Sequence, residues 1–214
     1  SNQTVSLDDF KSHINENTKI TFVSHVNYYP IYPPEKTILS VAEQSLASTK
    51  VKEILLSHKK IIQARNIAFF LSIDGELPTQ PIIEALWQAG KSVYLPVIHP
   101  FSPRALLFFR YEPTTELITL PYQLKQPKLN ITTLCPIEAL DVILTPLVAF
   151  DKQGNRLGMG GGYYDKLLKN WQQSAFYPIG VAHDCQQVEQ LTTAAWDVPL
   201  PEIITPSTHW QFKQ

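Results

Sequence analysis

Half of the eight glycines in this chain fall within five positions, in the run Arg156-Leu157-Gly158-Met159-Gly160-Gly161-Gly162-Tyr163-Tyr164-Asp165. Ordering glycine costs conformational entropy, so such a cluster calls for a reason. One reason is chemical. Without side chains, backbone N–H groups converge on an anion, and a following helix adds the positive end of its dipole. Arg156, just ahead of the glycines, carries a fork that pairs with a phosphate through two hydrogen bonds. Asp165, in the first turn of the expected helix, stands where a carboxylate holds Mg²⁺ beside bound phosphates. The run has neither the Gly-Lys-Ser/Thr of a Walker loop nor GxGxxG spacing. A tight connection, with Asp165 as an ordinary helix-start acid, is the simpler alternative.

The remaining candidates are weaker. Glu76 sits in Ser72-Ile73-Asp74-Gly75-Glu76-Leu77-Pro78-Thr79. A carboxylate there can accept paired hydrogen bonds from an aminopyrimidine-like ring, or can simply be a solvated loop acid. His183-Asp184-Cys185 suggests a Cys/His nucleophile. Adjacent residues of extended chain point to opposite faces, however, so a structural role is expected. His99 and His209 are isolated, and no pair has zinc spacing. Asp197 is ambiguous alone.

These residues need elements to position them. Residues 66–73 read as a buried strand, and an apolar run of that length suits a parallel sheet covered on both faces. Thr79 can cap a helix with an apolar face of Ile82, Ile83, Leu86 and Trp87, ended by Gly90. Residues 92–95 form a strand closed by Pro96, completing a βαβ unit. Helix-like spacing marks 35–46, 51–62 and 163–171; further strands are expected at 106–111, 141–144, 179–182 and 203–204. The expectation is an α/β fold in three layers, a mostly parallel sheet with helices on both faces. Residues 1–35 form a proline-rich irregular segment, and 36–214 a single domain. Ligands in such folds gather beyond the carboxyl ends of the strands.

Composition narrows the partners. The chain has 214 residues, a formal net charge of −1 and only four arginines, so it lacks the basic stripe that nucleic acid requires. Its apolar runs are too short to span a bilayer. Cys135 and Cys185 fit no disulfide or metal pattern, which favours reduced thiols in the cytoplasm, and a monomer is expected.

With these residues in hand, the chain resembles the 5-formyltetrahydrofolate cyclo-ligase (5,10-methenyltetrahydrofolate synthetase) family from about residue 67 to 205. The resemblance runs through Ser72-x-x-Gly75-Glu76-x-x-Thr79, Lys91-Ser92-Val93-Tyr94-Leu95-Pro96, Gln126-Pro127 and Asp141-Val142-Ile143-Leu144-Thr145-Pro146. It continues through Phe150-Asp151-x-x-Gly154-x-Arg156 into the glycine run, then Gln186, Asp197 and Ile204-Thr205. It implies a ligase that uses ATP and Mg²⁺ to cyclise 5-formyltetrahydrofolate to 5,10-methenyltetrahydrofolate, releasing ADP and phosphate. It implies that Arg156, Leu157, Gly158, Met159, Gly160, Gly161, Gly162, Tyr163 and Tyr164 hold the nucleotide, and that Asp165 and Asp197 hold the metal. By the same resemblance Glu76 anchors the pterin, Tyr122 stacks on the folate, and Tyr163 and Tyr164 line its pocket. In one respect the chain departs from the family. The N-terminal Lys and Arg that reach the ATP phosphates have no counterpart at the expected spacing. The alternative is therefore a catalytically weak folate- or nucleotide-binding homologue; a sugar-phosphate or acyl-transfer enzyme of related architecture is a third reading.

Overall fold

Ser40 starts the first helix, α1 (Val41–Ser57), with a capping box. Its hydroxyl accepts from the Glu43 N–H at 3.3 Å, and the Glu43 carboxylate accepts from the Ser40 N–H at 2.7 Å. The structure is a computed structural model, and it describes residues 39–73, 75–120 and 124–213. Tyr122 and the segment 1–35 lie outside the described residues. The two helices expected over 35–62 are one helix that breaks at His58, followed by the single turn of α2 (Lys59–Gln63). Lys91 closes that turn, its ammonium donating to the Ile62 and Ala64 carbonyls at 2.6 and 2.7 Å.

The sheet is built from β1 (Asn66–Ala68), β2 (Ser92–Ile98), β3 (Leu106–Tyr111), β6 (Leu134–Cys135), β7 (Val142–Thr145), β10 (Tyr177–Val181), β11 (Glu202–Ile204) and β12 (His209–Gln211). Its order is β12-β11-β10-β7-β1-β2-β3-β6. The five strands from β11 to β2 are parallel, and antiparallel strands extend both edges. Short hairpins pair β4 (Leu117–Thr119) with β5 (Lys125–Pro127), and β8 (Ala149–Phe150) with β9 (Arg156–Leu157). Asp141 sets the centre, its carboxylate accepting from the Arg65 and Asn66 N–H groups at 2.7 and 2.8 Å.

One face packs against α1, α2 and α3 (Gln80–Gln88) through Val51, Leu55, Ile82, Ile83 and Leu86 against Ile67, Val93, Val142 and Ile179. The other face carries Phe108, Ile143, Ile203 and Phe150 under α4 (Tyr163–Leu168) and its neighbouring loops. Gly90 takes φ +73°, as a helix-ending glycine should. Three further expectations change. Thr79 makes no side-chain cap to α3; its hydroxyl instead accepts from the Ser72 N–H at 3.0 Å, stapling the 72–79 loop. The helix expected over 163–171 is only six residues long, so its dipole is small and adds little to what the loop amides could offer an anion.

Third, β1 is shorter and β2 longer than expected. Pro96 stays in β2 opposite Phe108 of β3. Its nitrogen faces β1, where the next rung would be a donation from residue 96 to the Phe69 carbonyl. The preceding rungs are Ser92 N–H to Arg65 and Phe69 N–H to Tyr94. Proline cannot supply the next one, so β1 ends at Ala68 and the chain diverges.

At the opposite end of the sheet, the first residues of β10 and β11 meet the end of α1. Glu202 Oε2 accepts from His58 Nε2 at 2.7 Å and His209 Nε2 at 2.9 Å, while Oε1 accepts from the Tyr177 hydroxyl at 2.9 Å. The grouping His58, Glu202 and His209 has the residue types of a metal site. The Lys60 N–H donates to His58 Nδ1 at 3.2 Å, which leaves the ring proton on Nε2. A metal ligand needs that nitrogen free, so the cluster as built is a hydrogen-bonded clamp.

Candidate active site

The strand order reverses between β1 and β7, and the crevice opens there. A cleft of about 1590 Å³ lies beyond the carboxyl ends of β1, β2 and β7. Pockets for one small ligand are usually ~300–1,000 Å³, so this one has room for two molecules side by side. It brings together Glu76, the whole run from Arg156 to Asp165, and Asp197, which are separated by up to 121 positions in sequence. Tyr163 and Tyr164 line it, with their rings packed into the core beneath.

The glycine loop is shaped by close contacts as well as by flexibility. A methyl group on Gly161 would stand 2.7 Å from the Tyr163 ring, and Gly160 and Gly162 hold φ of +77° and +65°. The turn before the loop is organised by Asp151, which is fully buried. Its carboxylate accepts from the N–H groups of Gln153 (2.9 Å), Asn155 (3.0 Å) and Leu191 (3.1 Å), and from the Asn155 side-chain amide (2.9 Å). The bond to Leu191 draws the 191–197 segment, and Asp197 with it, to the glycine loop. Sequence reasoning gave Asp151 no role. Its signal was an acid in a turn rich in Asn and Gly, where Asx hydrogen bonds form.

Arg156 and Asp165 form an ion pair of 2.6 Å in which the arginine side chain is 2% exposed and the aspartate 23%. Burial draws the Arg156 pKa below its ordinary value, while Asp165, Tyr164 and Asp197 oppose that shift. Asp165 binds Arg156 through Oδ1, and Asp197 Oδ2 accepts from the Ala194 N–H at 2.7 Å. Each carboxylate thus has one oxygen outside these bonds, on one cleft. Such hard oxygen donors suit Mg²⁺, which takes one or two carboxylates and keeps several waters.

Glu76 stands on the opposite side. Its carboxylate accepts from the Ile73 N–H at 3.0 Å, and burial pushes its pKa up to about 7 against that bond. Burial also raises the Tyr164 phenol far above its ordinary range. His183 is buried behind the cleft, and the loop after β10 is pinned by Gln186. The Gln186 amide donates to the Leu147 and Val148 carbonyls at 2.6 and 3.1 Å. Cys185 is a free, exposed thiol whose pKa is raised by partial desolvation, the opposite of an activated nucleophile. Among the described residues, no helix is long and apolar enough to cross a membrane.

The family model for 5-formyltetrahydrofolate cyclo-ligases matches residues 34–206. Over 158 residues the chain is 52% identical to 5-formyltetrahydrofolate cyclo-ligase of Escherichia coli K12, covering 74% of this chain and 87% of that protein. The Haemophilus influenzae protein of the same description is 49% identical over 166 residues, covering 78% of this chain and 89% of its own. The NMR structure of Aquifex aeolicus 5,10-methenyltetrahydrofolate synthetase superimposes with a TM-score of 0.71 at 28% identity, covering 84% of this chain and 88% of that one.

Proposed function

The chain belongs to the 5-formyltetrahydrofolate cyclo-ligase family, and on that premise we propose that it joins N10 to the formyl carbon of 5-formyltetrahydrofolate at the expense of ATP. The observation that carries the reading is the single cleft. It sets a half-buried carboxylate, a glycine loop and two metal-type carboxylates around a volume sized for two substrates.

A formyl amide is a poor electrophile with a poor leaving group. Transfer of the γ-phosphoryl group to the formyl oxygen releases ADP. The folate N10 then adds to the activated carbon, and phosphate departs with that oxygen and the N10 proton. No side chain needs to become covalently bound, and none of the described cleft residues is arranged as a nucleophile. The protein's share is positioning and charge stabilisation.

Glu76 takes the pterin, its carboxylate accepting the paired N–H groups of the ring. The loop from Gly158 to Tyr164 cradles the phosphates with backbone N–H groups, and Arg156 holds the loop's charge balance through Asp165. Asp165 and Asp197 hold Mg²⁺, which supplies charge neutralisation to the phosphates. Tyr163 and Tyr164 form the wall between the two substrates.

The experiment is the ATP-dependent appearance of methenyltetrahydrofolate absorbance from 5-formyltetrahydrofolate, with ADP counted alongside. No signal at high enzyme and ATP removes the reading. Asp165→Asn is expected to lower Mg²⁺-dependent turnover on the order of 10³-fold. It also leaves Arg156 buried without its counter-charge, at a cost of about 3 kcal/mol. Titrating Mg²⁺ against the folded fraction of this variant separates the two losses; unchanged turnover removes Asp165 from the metal site.

A further inference from the structure

Among the described residues, Arg104 is the non-glycine residue with a left-handed backbone, φ +55°. Few side chains tolerate that region, and a fold that keeps one there invites a functional explanation. The surrounding loop is built to hold it. His99 Nδ1 accepts from the N–H groups of Phe101 and Ser102 at 3.1 and 3.0 Å, and Lys166 on α4 donates to the Pro103 carbonyl at 2.9 Å. The loop is thereby tied to the element that follows the glycine run.

The Arg104 side chain lies along Gly162. A methyl group on that glycine would stand 3.6 Å from Arg104 Cδ and 3.8 Å from its Nε. The residue is exposed, lines the cleft and has no hydrogen-bond or ion-pair partner among the described residues. Arg156 is its opposite: nearly enclosed, with its charge matched by Asp165 at 2.6 Å. Of the two guanidinium groups at the loop, Arg104 is the one free to meet an incoming anion.

We propose that Arg104 contacts the terminal phosphates of the nucleotide at the glycine loop, while Arg156 acts through Asp165 to hold the loop in shape. This rests on the ATP-dependent reading above. A guanidinium can bind two phosphate oxygens at once, and its position against Gly162 places it at the glycine loop, on the same cleft. The contact is a determinant of nucleotide affinity that the sequence run alone does not contain.

Arg104→Gly is the informative variant, because glycine suits the backbone that arginine strains. Its melting temperature should equal or exceed that of the wild type. Its KM for ATP should rise roughly 10- to 100-fold, with KM for 5-formyltetrahydrofolate nearly unchanged, and Arg104→Lys should recover part of the loss. An unchanged KM for ATP in an active enzyme overturns the proposal. So does a rise confined to KM for folate, which would put Arg104 on the carboxylates of that substrate. Should the wild type show no ATP-dependent turnover, the reaction reading falls first. Calorimetry with ATP and Mg²⁺ alone then decides on Arg104: weaker binding in the variant supports it, and equal or absent binding in both proteins overturns it.

Discussion

Two half-buried glutamates sit at opposite ends of one sheet and have opposite chemistry. Glu202, at the amino end of β11, receives hydrogen bonds from His58, His209 and Tyr177. Burial alone would raise its pKa, but those three donors outweigh it and hold the carboxyl at about 2. Glu76, beyond the carboxyl end of β1, receives one backbone N–H, and burial takes it to about 7. The difference separates two uses of burial. At Glu202 the protein supplies every partner, and the group stabilises the fold. At Glu76 it supplies one, which leaves the carboxylate able to take the donors that the proposed function assigns to the substrate.

The comparison can be broken by exchanging its terms. Glu202→Ala should have the largest effect, about 3 kcal/mol of stability, because it strands three donors in a partly buried place. For a chain of this size that lowers the melting temperature by roughly 10 °C, while kcat/KM at permissive temperature stays the same. Loss of activity without loss of stability would show that this clamp belongs to the site. Glu76→Gln should do the reverse. Folate kcat/KM should fall about 100-fold, because two donors of the ring lose a charged acceptor, and the melting temperature should hold or rise.

The pH profiles should diverge as well. Ionised Glu76 is the form that accepts ring N–H groups, so KM for folate should climb up to ~10-fold per pH unit below about 7. A flat KM between pH 8 and 6 would take Glu76 out of substrate binding. Because its folded pKa is raised, ionisation of Glu76 also costs stability. The cost appears as pH rises from its ordinary value near 4.5 to about 7 and then levels off. The contribution of Glu202 runs the other way, complete above about 4.5 and lost as pH falls toward 2. The smallest effect belongs to Tyr177→Phe, ~1 kcal/mol for one hydrogen bond to Glu202; denaturant melts at pH 7 and pH 3 would measure it.

The glycine loop was legible because its message is compositional and local, four glycines and two charges within ten positions. Apolar runs and periodicity made β1, β2, β3, β7, β10, β11 and the α3 face legible, whereas β4, β5, β6, β8, β9 and β12, two or three residues each, are too short to leave such a pattern. Arg156 shows the limit. Its type and place suggested a phosphate ligand, and its pairing with Asp165, nine positions on, emerges only from the fold. The clamp at Glu202 was invisible, since His58 lies 144 positions away and His209 looked isolated. Arg104 gave no signal, because a positive φ in a Ser-Pro-Arg-Ala stretch is imposed by the contacts around His99 and Lys166. Pro96 was read as a strand end because a local rule was applied without knowing which edge of the strand it faced.

That proline sets the shape of the reaction vessel. Were residue 96 able to donate, β1 could continue along β2 past Phe69, and the two strands would zip shut across the floor of the crevice. A missing hydrogen on one nitrogen thus works as a stop in a zipper, and the gap it preserves is the space in which the proposed reaction would bring two substrates together. Restoring the donor, as in Pro96→Val, would test whether a tighter sheet has less room for chemistry.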